Sequence, residues 1–183
     1  MTLLELGILG IVIGSNNFAV ALTLGALGLK SYRYRVMFVF GLFGFALPLA
    51  GILLGTAVAE LIGFQANIVG ALMLFGLGLF TVIGGTFDFN DDEYLARRIV
   101  SWSGLTVLGA GLSLDNLLVG LSLGFGKVQP LILAATISFF SVIFTWLGML
   151  IGGETRRRLE REAKIASGVL LIFLGIALGI GWL

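Results

Sequence analysis

Two polar pairs interrupt otherwise apolar sequence in this chain: Asn16 and Asn17 within GSNNFAVALTLG, and Asp115 and Asn116 within GAGLSLDNLLVGLSLGFG. Each of the four side chains carries an amide or carboxylate oxygen, the donor type that hard divalent cations accept. The chain has no cysteine and no histidine, which excludes disulfides, thiolate or imidazole metal sites and histidine acid-base chemistry. Any site must therefore be built from oxygen. An aspartate at the centre of a membrane helix costs roughly 2.5–3.5 kcal/mol on insertion scales, so Asp115 is the first candidate for function. Adjacent helical residues point about 100° apart, so each pair spreads two oxygens around a central space. Residues seven apart share a face, which puts Ser122 below Asp115 and Thr23 below Asn16; with Ser113 they form a candidate secondary polar pathway.

The elements that must position these groups are membrane spans. Hydrophobic residues make up 58% of the chain and charged residues 11%, about half the charge of a soluble domain, and mean hydropathy is +1.11. Six apolar segments, each near the 20 residues needed to cross a bilayer, run from Leu3 to Gly28, Val36 to Glu60, Ala66 to Thr86, Gly104 to Phe125, Leu131 to Gly152 and Ile165 to Leu183. The first is read as a retained helix rather than a signal peptide, because no basic leader or small-residue cleavage pattern accompanies it. All of the eleven basic residues except Lys127 fall in the links after spans one, three and five. Short cytoplasmic loops retain such residues, so both termini are expected outside, in a multi-pass protein of the cell (inner) membrane. Tyr32, Tyr34, Tyr94 and Trp102 then belong to an inner aromatic belt and Trp182 to the outer one.

The halves repeat. Asn16, Asn17, Val20, Leu22, Leu24 and Gly25 fall on Asp115, Asn116, Val119, Leu121, Leu123 and Gly124 at an offset of 99, and GILLG from Gly51 falls on GMLIG from Gly148 at 97. The expected fold class is an all-α membrane protein of six transmembrane helices in two inverted three-helix repeats. It forms a single membrane domain over 1–183, with repeat one at about 1–86, a linker at 87–103 and repeat two at about 104–183. Inverted repeats place substrate near the midplane between the halves, where spans one and four would bring their polar pairs together.

Plainer readings account for other features. Asn17, Asn116 and the serines and threonines of span five, Ser138, Ser141, Thr136 and Thr145, can simply bond neighbouring helices, and most glycines let helices pack closely. Gly109 and Gly111 flank Asp115 and can instead mark local unwinding that frees carbonyl oxygens. The acidic link at Asp88, Asn90 and Asp92 fails as a calcium loop, since Glu93 stands where glycine is required; Asn90 is better read as the N-cap of a short surface helix. The run from Arg156 to Lys164, interspersed with glutamates, reads as an inner anchor and not a nucleic-acid patch. Glu5 and Glu60 sit near the outer ends of spans one and two. An intramembrane serine enzyme built on Ser113 would lack a base, because there is no histidine and Lys30, Lys127 and Lys164 lie at interfaces.

GSNNFAVALTLG and LSLDNLLVGLSLG resemble the paired motifs of the MntP-type manganese exporters, within the LysE-like transporter superfamily. The similarity extends over nearly the whole chain, including FGLFGFALPLAGILLG and ISFFSVIFTWLGMLIGG. The resemblance implies six spans in two inverted triplets, efflux of manganese without a cofactor, and functional positions at Asn16 and Asp115. The chain departs from the family pattern in having an amide at Asn16, in Asn17 and Asn116, and in Gly44 where a glutamine is expected. One carboxylate leaves half the charge of a divalent ion uncompensated, although four side-chain oxygens with water or carbonyls complete an octahedral shell. Expelling such an ion against an inside-negative potential costs about 4.6 kcal/mol per 100 mV, two charges at roughly 2.3 each, so exchange with protons is the expected coupling. The alternative within transport is a LysE-like exporter of another small solute or cation.

Overall fold

The computed structural model describes residues 3–62, 66–84, 101–125, 129–152 and 156–180, and among these it is helical throughout, with no strand. The α-helices are α1 (Leu3–Ala26), α2 (Arg33–Ile62), α3 (Ala66–Gly84), α4 (Trp102–Leu112), α5 (Leu114–Gly124), α6 (Pro130–Ile151) and α7 (Arg156–Gly179). Gly28, in the left-handed region at φ 76°, ends α1 and leads through a 3-10 turn at Leu29–Tyr32 into α2. Ser101 caps α4 by accepting the Gly104 N–H at 3.0 Å, and Pro130 opens α6 where its missing N–H costs nothing.

Among the described residues, three helical stretches are long and apolar enough to cross a membrane, Leu29–Leu61, Trp102–Gly124 and Pro130–Ile151. A fourth results if Leu6–Ser15 and Asn17–Ala26, bent by 41°, count as one span, and shorter apolar helices run over Ile68–Val82 and Gly168–Gly179. Span four runs as one stretch, interrupted for a single residue at Ser113 between α4 and α5; the last helix begins at Arg156, so the basic run is its first turns rather than a separate link. The acidic link with Asn90 lies outside the described residues.

Close packing is set by two glycine seams. Side chains at Gly51 and Gly55 of α2 would press on the backbone of Leu117 and Leu121 in α5, and side chains at Gly120 and Gly124 on that of Pro48 and Ile52. Likewise Gly148 and Gly152 of α6 meet the backbone of Phe18 and Leu22 in α1, and Gly25 meets Met149. Helices in lipid gain little from apolar contact alone, so backbone approach of this kind carries their association. The seams correspond: Gly51 and Gly55 become Gly148 and Gly152 at an offset of 97, while Gly25 becomes Gly124 at 99. The third helices behave alike, for Gly78 packs on Gly168 as Gly175 packs on Ala71. In all, α1 packs on α6 and α7, α5 packs on α2 and α3, and α2 crosses α6.

The apolar side chains gather into two clusters. One joins Leu9, Val12 and Ile13 of α1, Ile52, Leu74, Val119 and Leu123, Leu133 and Ile137, and Leu171, Leu174 and Leu178 of α7. The other joins Ala21 and Leu24 of α1, Val36, Val39 and Phe40 of α2, Leu105 and Met149. Every helix that contributes to both does so on either side of a polar or glycine position: Asn17 on α1, Gly44 on α2 and Ser141 on α6. The fourth span follows suit, with Leu105 in one cluster, Val119 in the other, and Ser113 to Asn116 between.

Candidate functional site

Asp115 owes its position to the break at Ser113. There the backbone turns to φ −98°, ψ 5°, with the Ser113 N–H still donating to Gly109 O at 3.1 Å and Ala110 O at 3.2 Å. Helix α5 restarts at Leu114, so Asp115 lies in its first turn rather than in mid-helix, and its Oδ1 accepts the Asn116 N–H at 2.7 Å. The positive end of the helix dipole favours a carboxylate here, by about 0.3–1 kcal/mol and up to about 2 when partly buried. Asp115 is half-buried and Ser113 fully so. The expected unwinding at Gly109 and Gly111 is not seen: both remain helical, Gly109 against Val39 and Phe43, and the one-residue interruption falls at Ser113, whose carbonyl accepts the Leu117 N–H. Span one bends at the corresponding motif, between Ser15 and Asn17.

Asn17 and Asn116 are each 2% exposed. Asn17 Nδ2 donates to Ser141 Oγ on α6, and Ser141 Oγ in turn lies 3.5 Å from its acceptor, the Phe40 carbonyl of α2. One turn along, Ser138 Oγ donates to Gly41 O at 2.8 Å, and Thr145 Oγ1 donates to Ser141 O at 2.7 Å. A side chain at Gly44 would meet Ser141 Oγ at 3.0 Å. Asn116 has no such anchor, and its buried Nδ2 lacks a hydrogen-bond partner. The repeat explains the difference: Ser141 corresponds to Gly44, and carrying the register of Pro48 on Gly120 and Ile52 on Gly124 back one turn puts Gly44 level with Asn116.

The motif helices α1 and α5 do not take each other as main packing partners; α1 packs on α6 and α5 on α2, and α2 packs on α6, where Ser141 receives the Asn17 amide. The Asn16 side chain lies outside the described set. Among the described residues no group of three or more Asp, Glu, His or Cys forms a metal centre, so amides, hydroxyls and carbonyls must supply most donors to any ion held beside Asp115. Thr23 and Ser122 are buried, donating to Ala19 O at 3.3 Å and Leu118 O at 2.9 Å within their own helices. Ser141, expected to bond a neighbouring helix, joins α6 to Asn17 of α1 and to Phe40 of α2.

At the start of α2, Arg35 stacks its guanidinium over Trp102, 5.1 Å from the ring centroid, and over Tyr32 at 5.7 Å. Tyr34 and Trp102 are exposed, as an aromatic belt requires. Tyr94 and Trp182 lie outside the described residues.

No solved structure matches the chain. Residues 29–178 match the profile of the family described as "Putative manganese efflux pump". Proteins named "Putative manganese efflux pump MntP" from Bacillus velezensis and from Bacillus thuringiensis strain Al Hakam are each 32% identical over 177 residues, 96% of this chain and 94% and 95% of theirs. The protein of that name from Bacillus cereus strain B4264 is 31% identical over 175 residues, 95% of this chain and 94% of its own. Matched over most of its length by both the profile and these relatives, the chain belongs to the MntP family of manganese efflux pumps.

Proposed function

We propose that this protein is a secondary-active exporter of divalent manganese that exchanges the ion for protons at a mid-membrane site of oxygen ligands. It is a transporter and not an enzyme, in keeping with the names its relatives carry. Six spans form two inverted triplets, with both termini outside the cell membrane. The packing supports the triplets, since exchanging the halves turns α1 on α6 into α5 on α2, and α1 on α7 into α5 on α3, residue for residue along the glycine seams. The observation that carries the site is the polar layer between the two apolar clusters, with Asp115 at a helix start and the unpaired Asn116 amide beside it. Asp115 supplies the charge, and Asn16, Asn17 and Asn116 supply neutral oxygens. A half turn of the Asn116 carboxamide presents Oδ1 in place of Nδ2, and Nδ2 has no hydrogen bond to lose. Asp115 takes up a proton as the ion leaves, while one triplet rocks against the other.

Reconstituted into liposomes, the protein should move manganese faster when an opposing proton gradient is imposed, and manganese flux should carry a matching proton flux. Manganese flux indifferent to the pH gradient excludes proton exchange. A second reading follows from the same Asn116 donor, which suits an acceptor-bearing organic solute; efflux of such a solute with no manganese flux in the same liposomes selects it.

A further inference from the structure

We propose that Ser141 is a positioning residue for transport: it aims the amide oxygen of Asn17 at the ion. The inference rests on the mid-membrane site proposed above. A carboxamide has a donor end and an acceptor end of nearly equal size, and only its hydrogen-bond partner decides which faces where. The oxygen alone can ligate a cation. Asn17 Nδ2 donates to the lone pairs of Ser141 Oγ, whose own acceptor is the Phe40 carbonyl at 3.5 Å. The lone pairs select Nδ2, and the amide oxygen, on the other branch of the same carbon, is turned away from Ser141.

The serine is itself held firmly. It is fully buried, its carbonyl is taken by Thr145, its side chain rests against Gly44, and Ser138 ties the same face of α6 to Gly41 of α2. The helix crossing that joins the two halves thereby also sets the direction of one ligand. The other half lacks the device, because glycine stands at position 44 and Asn116 Nδ2 is unpartnered. One amide is therefore held through its Nδ2, while the Nδ2 of its counterpart has no partner. Partners that orient a ligand from behind cost about tenfold or more in metal affinity when removed, whereas a bond that merely joins two membrane helices is worth about 0.6 kcal/mol of stability.

The test is a double-mutant cycle on the full-length protein in liposomes, reading the manganese concentration at half-maximal flux alongside the melting midpoint. Ser141→Ala should raise half-saturation about tenfold with little change in midpoint, and should add nothing in an Asn17→Ala background. Where Ser141→Ala fails to accumulate, Ser141→Cys, which keeps the size but accepts weakly, is read in its place. If Ser141→Ala costs the same with and without Asn17, or lowers only the midpoint, the serine is structural and the proposal falls. If Asn17→Ala impairs flux while Ser141→Ala does not, the proposal falls and the site stands. Unchanged half-saturation in Asn17→Ala removes Asn17 from the site, and the positioning role with it.

Discussion

Asp115→Asn should lower manganese efflux at limiting ion by about a hundredfold or more while leaving the protein folded. Two unit charges 4 Å apart exchange roughly 4 kcal/mol at an effective dielectric of 20, and about 2.7 kcal/mol already equals two decades of affinity. The substitution keeps the oxygen that accepts the Asn116 N–H, so the start of α5 is preserved. It also removes a carboxylate whose burial in a span costs roughly 2.5–3.5 kcal/mol, so the melting midpoint should hold or rise. Flux into liposomes and thermal unfolding of the same preparation check both halves. A fully active Asp115→Asn protein leaves the site without its charge and refutes it.

Asn116→Leu separates function from helix bonding by sign. An unsatisfied buried N–H costs about 1–3 kcal/mol, and Nδ2 of Asn116 is in that state. Leucine, similar in size, removes it, so the midpoint should rise by about 2–4 °C for each kcal/mol recovered. Transport should fall about tenfold, because a ligand oxygen goes with the amide. Were Asn116 holding helices together, the same change would lower the midpoint and leave flux nearly intact. A residue whose loss stabilises the fold while weakening transport is one retained for its ligand chemistry.

The all-helical class was legible in the sequence because lipid leaves few choices: a chain this apolar must satisfy its backbone inside helices. The correspondence of Asn17 with Asn116, and of Gly51 with Gly148, was readable as well, and the packing of α2 on α5 and α1 on α6 runs along those positions. The break at Ser113 was not. Nothing in LGAGLSLDN marks one residue for the turn: glycine lowers helix preference at both Gly109 and Gly111, yet the N–H groups there stay bonded and the fault moves to a serine two residues on. Hydropathy ran Trp102 to Gly124 together, as the structure also does but for one residue at Ser113. It divided what the structure joins, because the charged residues from Arg156 to Lys164 mask the start of a helix that continues to Gly179.

The role of Ser141 was hidden for a related reason. A serine on a membrane helix usually bonds a neighbour, and periodicity cannot tell which end of an asparagine that neighbour receives. The information lay in a comparison of Ser141 with Gly44 across the repeat, where a hydroxyl in one half meets a hydrogen atom in the other. Departures from internal symmetry, more than the symmetry itself, point to where the two halves do different work.

The central claim is that manganese rests in the polar layer between the two apolar clusters, held by Asp115 and amide oxygens. Anomalous diffraction from manganese-soaked crystals addresses it most directly. The expected result is a manganese peak at the start of α5, within bonding distance of an Asp115 carboxylate oxygen and of amide oxygens from the two asparagine pairs. Manganese bound only at peripheral carboxylates such as Glu5 or Glu60, with that layer empty, would contradict it.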